Sequence, residues 1–113
     1  MKKQNEFIVK LASKEMNKST PQVIDKLTTL VQVRANKTTL EYIYEINIAP
    51  KTDKHVQKQN HSKMKDTIVR GTCNKSKRFL QADIDITYIY KSSLSKVELF
   101  RFNVNQKSCS LLK

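Results

Sequence analysis

At 113 residues the sequence is sized for one domain spanning 1–113, and no run in it approaches the ~20 apolar residues of a membrane span. Its runs of β-branched and aromatic residues argue against a disordered chain. The formal charge of +12 favours anionic partners, but it comes from 18 Lys against 4 Arg, so a solvated lysine surface accounts for it as well.

Residues 3–17 predict a helix, with Phe7, Leu11 and the pair Ile8/Ala12 recurring at helical spacing. The opening MKKQNEFIVKLASK holds no signal-peptide core, because Lys10 interrupts Phe7-Ile8-Val9. Export would require that a signal peptide preceded Met1 and was removed. Thr20-Pro21 suits the cap and first position of a short helical turn, PQVIDK. The run TTLVQVRA then reads as a strand, and Asn36-Lys37 as a turn. In TLEYIYEINI, Leu40, Tyr42, Tyr44, Ile46 and Ile48 alternate with Glu41, Ile43, Glu45 and Asn47, the period of a strand with one buried face. Pro50 ends it.

Residues 53–70 hold no Gly or Pro and carry a thin apolar stripe of Val56, Met64 and Ile68. They predict a second helix, stopped by Gly71, with a partly ordered loop as the alternative. Residues 82–91 and 96–106 form a hairpin around KSSLS. Ala82, Ile84, Ile86, Tyr88 and Tyr90 share one face of its first strand; Phe100, Phe102 and Val104 share a face of the second. Tyr42-Ile43-Tyr44 and Tyr88-Ile89-Tyr90 echo one another. The fold expected is α+β: a four-stranded antiparallel sheet with one or two helices packed on one face, in the order α-β-β-α-β-β.

Cys73 and Cys109 lack the spacing of a zinc ribbon or a thiol redox motif. The hairpin returns Cys109 toward the start of its first strand, a few residues from Cys73, so the two could form a disulfide. Free buried thiols are the alternative. A disulfide implies an oxidising, periplasmic or secreted setting; reduced cysteines imply the cytoplasm.

Tyr42 and Tyr44 on one strand, Cys73, the step Lys77-Arg78-x-Leu80, Tyr88 and Tyr90 on another strand and a closing Cys109 together resemble small exported bacterial proteins of unassigned function. The resemblance covers roughly residues 20–110 and implies a secreted or periplasmic domain with a cystatin-like helix-on-sheet shape.

Few residues suggest chemistry. His55 and His61 are six apart, a spacing that sets them on different sides of a helix, and no third metal ligand accompanies them. The pairs Asp83/Asp85 and Glu41/Glu45 alternate with apolar residues as on any half-exposed strand. Nucleophile elbow, phosphate loop and dinucleotide fingerprint are all missing, and one Gly in the whole chain argues against a phosphate cradle. No catalytic residue, metal or cofactor is therefore expected. The tyrosines could stack bases, but they share their faces with Leu40, Ile46, Ile48, Ile84 and Ile86, and a core role is the stronger expectation. The densest feature is basic. Lys54, Lys58, His61 and Lys65 would line one side of a 53–70 helix, and Lys51, Arg70, Lys75, Lys77 and Arg78 extend it toward an anionic or partner-binding face.

The function expected is a non-enzymatic exported interaction domain that binds a protein partner. A cytoplasmic nucleic-acid-binding domain is the alternative, and a small enzyme with an unrecognised site the second. An anionic membrane surface stays open as a partner, and oligomeric state is not set by the sequence.

Overall fold

The structure is a computed structural model and describes residues 2–110, without the Lys2 side chain. Met1 lies outside them. The first helix, α1 (Lys2–Asn17), lies over the sheet. It turns Ile8, Val9, Ala12, Ser13 and Met16 inward, and Val9 is only 1% exposed. Phe7 and Leu11, expected on the buried stripe, instead face outward at 61% and 52%. The small residues Ala12 and Ser13 let the helix nest close to the strands, which rotates the larger pair away. The buried Ser13 hydroxyl donates to the Lys10 carbonyl at 2.9 Å, so it leaves no orphan.

No helical turn follows Pro21. Gln22–Val23 form a short strand, β1, paired with Leu30 and Thr29 of β2 (Thr28–Asn36). Asp25 explains the change: its carboxylate accepts from the amides of Leu27 and Thr28, both at 2.9 Å, and closes a tight turn where a helix would have continued. Lys37 takes a left-handed conformation (φ 55°) at the expected turn into β3 (Thr39–Ile46).

The connection after β3 differs most from expectation. Thr52 caps a short helix, α2 (Asp53–Lys58), through the His55 amide at 3.2 Å. The chain breaks over residues 59–61. Asn60 then accepts from the Ser62 amide at 2.9 Å and starts α3 (Ser62–Lys75), which carries Gly71 in its interior rather than past its end. The single 53–70 helix is thus two helices with different duties. Val56 packs α2 toward the last strand, β5 (Glu98–Val104), and Val69 and Thr72 bury α3 in the core side of the sheet. A third piece, α4 (Lys77–Gln81), takes up residues expected in no element, and Asp83 at φ 66° turns the chain into β4 (Asp85–Ser92). Strand β4 therefore begins at Asp85, not at Ala82.

The crossover returns the chain to the end where β3 began, so β3 and β4 run parallel. The sheet is five-stranded and mixed, ordered β1-β2-β3-β4-β5, in place of four antiparallel strands. The two expected hairpins, β2–β3 and β4–β5 (Glu98–Val104), are both present and antiparallel. The parallel register sets Tyr42 beside Tyr88, Ile43 beside Ile89 and Tyr44 beside Tyr90, so the echo in the sequence is a contact in space. After β5 a last helix, α5 (Gln106–Ser110), starts from a reciprocal pair: Ser108 N–H donates to Asn105 Oδ1 at 2.9 Å, and Asn105 N–H to Ser108 Oγ at 3.3 Å. It holds Cys109 against Cys73 in a disulfide, with Cα atoms 5.6 Å apart.

On the helix-bearing face the registers define three rows across the strands. Ala35, Leu40, Ile86 and Val104 make the first; Val33, Tyr42, Tyr88 and Phe102 the second; Leu30, Tyr44, Tyr90 and Phe100 the third. Leu40, Ile86 and Val104 are fully buried, with Val9, Val69, Leu80 and Ile84 above them. The core sits over that first row.

Candidate functional site

Moving from the first row to the third, cover thins. Helix α1 lies along β2 and β3, and α3 reaches β5. Between them the tyrosines of β3 and β4 floor an open depression of about 390 Å³. Its α3 wall is Ile68, Gly71, Thr72 and Lys75, residues at the i, i+3, i+4, i+7 spacing that puts them on one helix face. Tyr42 also borders a second depression of about 240 Å³ beside Met16, Leu30 and Val33. Lys75 and Ser76 also border a third of about 460 Å³, lined by Lys77 and Arg78. The first of the three, floored by the tyrosines, is the groove, and a basic depression neighbours its Lys75 end.

The rings are mutually braced. Tyr44 and Tyr90 stack at 4.8 Å between centroids and 11° between planes, and Tyr42 leans on Tyr88 at 5.2 Å and 55°. Tyr90 continues onto Phe100 at 4.8 Å, and His61 closes the row, stacked on Phe100 at 4.1 Å. Two hydroxyls are tethered: Tyr88 shares a 2.6 Å hydrogen bond with Thr72 Oγ1, and the Tyr42 hydroxyl donates to Met16 Sδ at 3.5 Å. Those of Tyr44 and Tyr90 find no protein partner among the described residues. Burial, and then the Tyr88 phenol, pushes Tyr42 up to about 12. Burial raises Tyr44, helped by Tyr90, Tyr88 and Tyr42, and burial raises Tyr88 against the opposing Thr72 hydrogen bond. Burial pushes Tyr90 up to about 12, helped by Tyr88 and by Asp25 in the β1–β2 turn. The floor is therefore neutral at any physiological pH, apolar in its faces and polar at its tips.

The basic residues do not form one stripe. Lys51 precedes α2, and Lys54 and Lys58 lie on it, separated from the rest by the break at 59–61. His61 stands at the start of α3 and lines, with Lys65 and Arg101, a separate depression of about 340 Å³; its Nε2 is buried without a partner among the described residues. Arg70 is exposed on α3. Of these basic residues only Lys75 lines the groove; Lys77 and Arg78 border the neighbouring depression that shares Lys75 and Ser76 with it.

The carboxylates considered for catalysis are engaged or dispersed. Glu41 is buried and accepts from Arg34 Nε at 2.5 Å and Asn36 Nδ2 at 3.3 Å, and Glu45 pairs with Lys96 at 2.8 Å. Asp85 is raised by partial burial and by Asp83 beside it. No group of three His, Cys, Asp or Glu gathers among the described residues.

Of the groove's residues, the sequence presents Lys75 as part of a basic partner-binding face, Ile68 as part of an apolar stripe, the tyrosines as core and Gly71 as a helix stop. One signal was there to find. Four tyrosines and two phenylalanines on one face need broad apolar cover, and the 53–70 stretch offers little beyond Val56, Met64, Ile68 and Val69.

Residues 3–100 match the family profile described as "Domain of unknown function (DUF8479)". The chain belongs to that family. No curated protein matches the sequence. Among solved structures, this DUF8479 chain is similar to the Pseudomonas aeruginosa protein PA3611, taken to be secreted, at TM-score 0.83 and 12% identity over 94% of this chain and 93% of that one. It is similar to EpsS, the type 2 secretion system pilotin of Vibrio vulnificus, at TM-score 0.76 and 13% identity over 96% and 94%. It is also similar to AspS, the type II secretion system pilotin of Vibrio cholerae, at TM-score 0.67 and 14% identity over 96% and 94%. These likenesses extend over nearly the whole of each chain and establish a common fold.

Proposed function

We propose that this chain is a non-enzymatic exported domain, periplasmic or secreted, that binds a protein partner in the tyrosine groove. The observation that carries the reading is the groove itself: a braced aromatic floor left open between two helices, wide enough for side chains. Tyrosines suit such a role because each offers a large, stiff apolar surface with one hydroxyl at its edge. Export is supported by the Cys73–Cys109 disulfide and by the shared fold with a protein taken to be secreted and with two pilotins. Because those pilotins belong to type II secretion systems, components of an envelope secretion machine are the first partners to test.

The test is site-specific photocrosslinking in the producing cell. A photoreactive phenylalanine replaces Tyr44 in the groove or, as a control, Lys10 on the exposed side of α1. One defined protein adduct from position 44, missing at position 10 and lost when Tyr90 is also changed to Ser, is the expected result. Adducts that form equally at both positions, or none from position 44, would overturn the reading.

A further inference from the structure

We propose that one end of the sheet is a docking tip for an anionic lipid bilayer, with the β1–β2 and β4–β5 turns pressed into the membrane surface. This surface is separate from the tyrosine groove and does not depend on the reading of it.

The placement follows from the strand pairing. Strand β1 turns back into β2 at the end where β3 finishes, since Thr28 pairs with Ile46. The parallel seam brings β4 to that same end, with Ile46 beside Ser92, and there the chain turns into β5. Had β4 run antiparallel to β3, its turn would stand at the opposite end. Backbone bonds hold the assembly together. Asn47 N–H donates to the Leu27 carbonyl at 2.8 Å, and Ser93 N–H donates to the Ile46 carbonyl at 3.0 Å.

The first observation is what these turns expose. Among the described residues, five of the seven exposed large apolar side chains gather here: Val23, Ile24, Leu27, Leu94 and Val97. Leu94 and Val23 are the most exposed, at 78% and 74%. Single apolar residues on a surface are ordinary, but a cluster on adjoining turns marks a contact. The fold does not require them. Polar groups close both turns: the Asp25 carboxylate accepts from the Leu27 and Thr28 amides, and Ser92 Oγ accepts from the Leu94 and Ser95 amides at 3.2 and 3.3 Å. Polar side chains at 24, 27 and 94 would leave that bonding intact.

The second observation is the charge around the cluster. Lys26 lies between Ile24 and Leu27, and Lys51 and Lys54 follow β3; all three are exposed and make no ion pair among the described residues. The carboxylates of this end are held within the protein. Asp25 closes its turn, Glu45 pairs with Lys96 at 2.8 Å, and Asp53 accepts from Ser95 Oγ at 2.7 Å. That last bond also ties the start of α2, and with it Lys54, to the β4–β5 turn. The rim is net positive.

These two features together fit lipid. Apolar side chains enter the boundary of the acyl chains while ammonium groups stay among anionic head groups. Side chains this exposed stand out from the surface, so a folded partner would need a socket for each. A fluid bilayer closes around them.

The experiment uses the disulfide-intact full chain with two kinds of vesicle, phosphatidylcholine alone and phosphatidylcholine mixed with phosphatidylglycerol. The chain has no tryptophan, so Leu94→Trp supplies a single fluorophore at the tip and Leu11→Trp a single one on the outer face of α1. With mixed vesicles, emission from position 94 should shift to the blue and be quenched by brominated acyl chains, while emission from position 11 should do neither. Leu94→Ser should bind mixed vesicles about tenfold more weakly, the effect of one leucine withdrawn from an apolar medium, yet melt with the parent chain. Lys26→Glu and added salt should weaken binding too. Vesicle binding without shift or quenching at position 94 would mean that the lysines adsorb alone, and would overturn the proposal. So would equal quenching at position 11, equal binding to phosphatidylcholine alone, no vesicle binding, or a Leu94→Ser chain that binds as tightly as the parent. A blue shift at position 94 that appears on concentrating the protein without lipid would assign the tip to a second copy of the chain instead.

Discussion

The four phenols of the groove are all the tyrosines the chain has, and it has no tryptophan, so one absorbance titration reads the site alone. A free phenol ionises near 10. Here burial raises all four, and Tyr42 and Tyr90 reach about 12. The expected result is a tyrosinate signal delayed well past ~10 in the folded protein and restored to ~10 in denaturant. The sign of the linkage follows. Between ~10 and ~12 the unfolded chain has released its phenolic protons while the folded chain retains them. Stability is therefore full below ~10 and falls as pH rises toward ~12, which urea melts at stepped alkaline pH would measure. A titration near ~10 in the native protein would mean that the tyrosines are fully hydrated. Elsewhere at this scale, Asn17 does the work of a strand: its amide accepts from Val33 N–H at 2.7 Å and donates back to the Val33 carbonyl, closing the edge of β2 beyond the reach of the two-residue β1.

Among the elements, α1 shows what periodicity can and cannot tell. Its extent was legible, but its orientation was not, because Phe7/Leu11 and Ile8/Ala12 both repeat every four residues. Packing against the sheet chose the face with small residues. Val9→Ala should accordingly cost about 2 kcal/mol, as a methyl-lined void opens in the core, whereas Leu11→Ala should change stability by less than about 0.5 kcal/mol. Denaturant midpoints of the two variants check the assignment, and equal losses would refute it. Both hairpins were legible for the opposite reason: a period of two leaves a single choice of face and a short turn fixes the pairing. The connection from 47 to 84 was not. Its helix breaks are made by side chains bonding to nearby amides, Thr52 to His55 and Asn60 to Ser62, and such local competition is invisible to an apolar stripe. The parallel pairing followed from that connection, so the sheet's mixed order was lost with it. The groove escaped notice for a related reason. Alternation reveals which residues share a face and is silent about what covers them.

For the whole molecule, the disulfide is the main covalent constraint. It closes a loop over a sequence separation of 36 and ties α3 to α5 across the second hairpin. Loop-closure entropy assigns such a bridge about 4 kcal/mol. Reduction and alkylation should then lower the melting temperature by on the order of ten degrees or more for a chain of this size. An unchanged melt would show that the bridge adds nothing to stability and would weaken the case for export.

The same topology has a consequence for the order of folding. Each hairpin joins neighbours in sequence and can form early by local collision. The parallel seam between β3 and β4 joins partners from opposite halves of the chain, such as Leu40 with Ile86 and Tyr44 with Tyr90, and carries the higher loop-closure cost. The bridge from Cys73 to Cys109 lies wholly within the second half, so it can staple that half before the seam exists. Two half-domains would thus mature separately and zip together last along the paired Tyr-Ile-Tyr segments. The tyrosine groove lies along that seam and would be among the last features of the molecule to take shape.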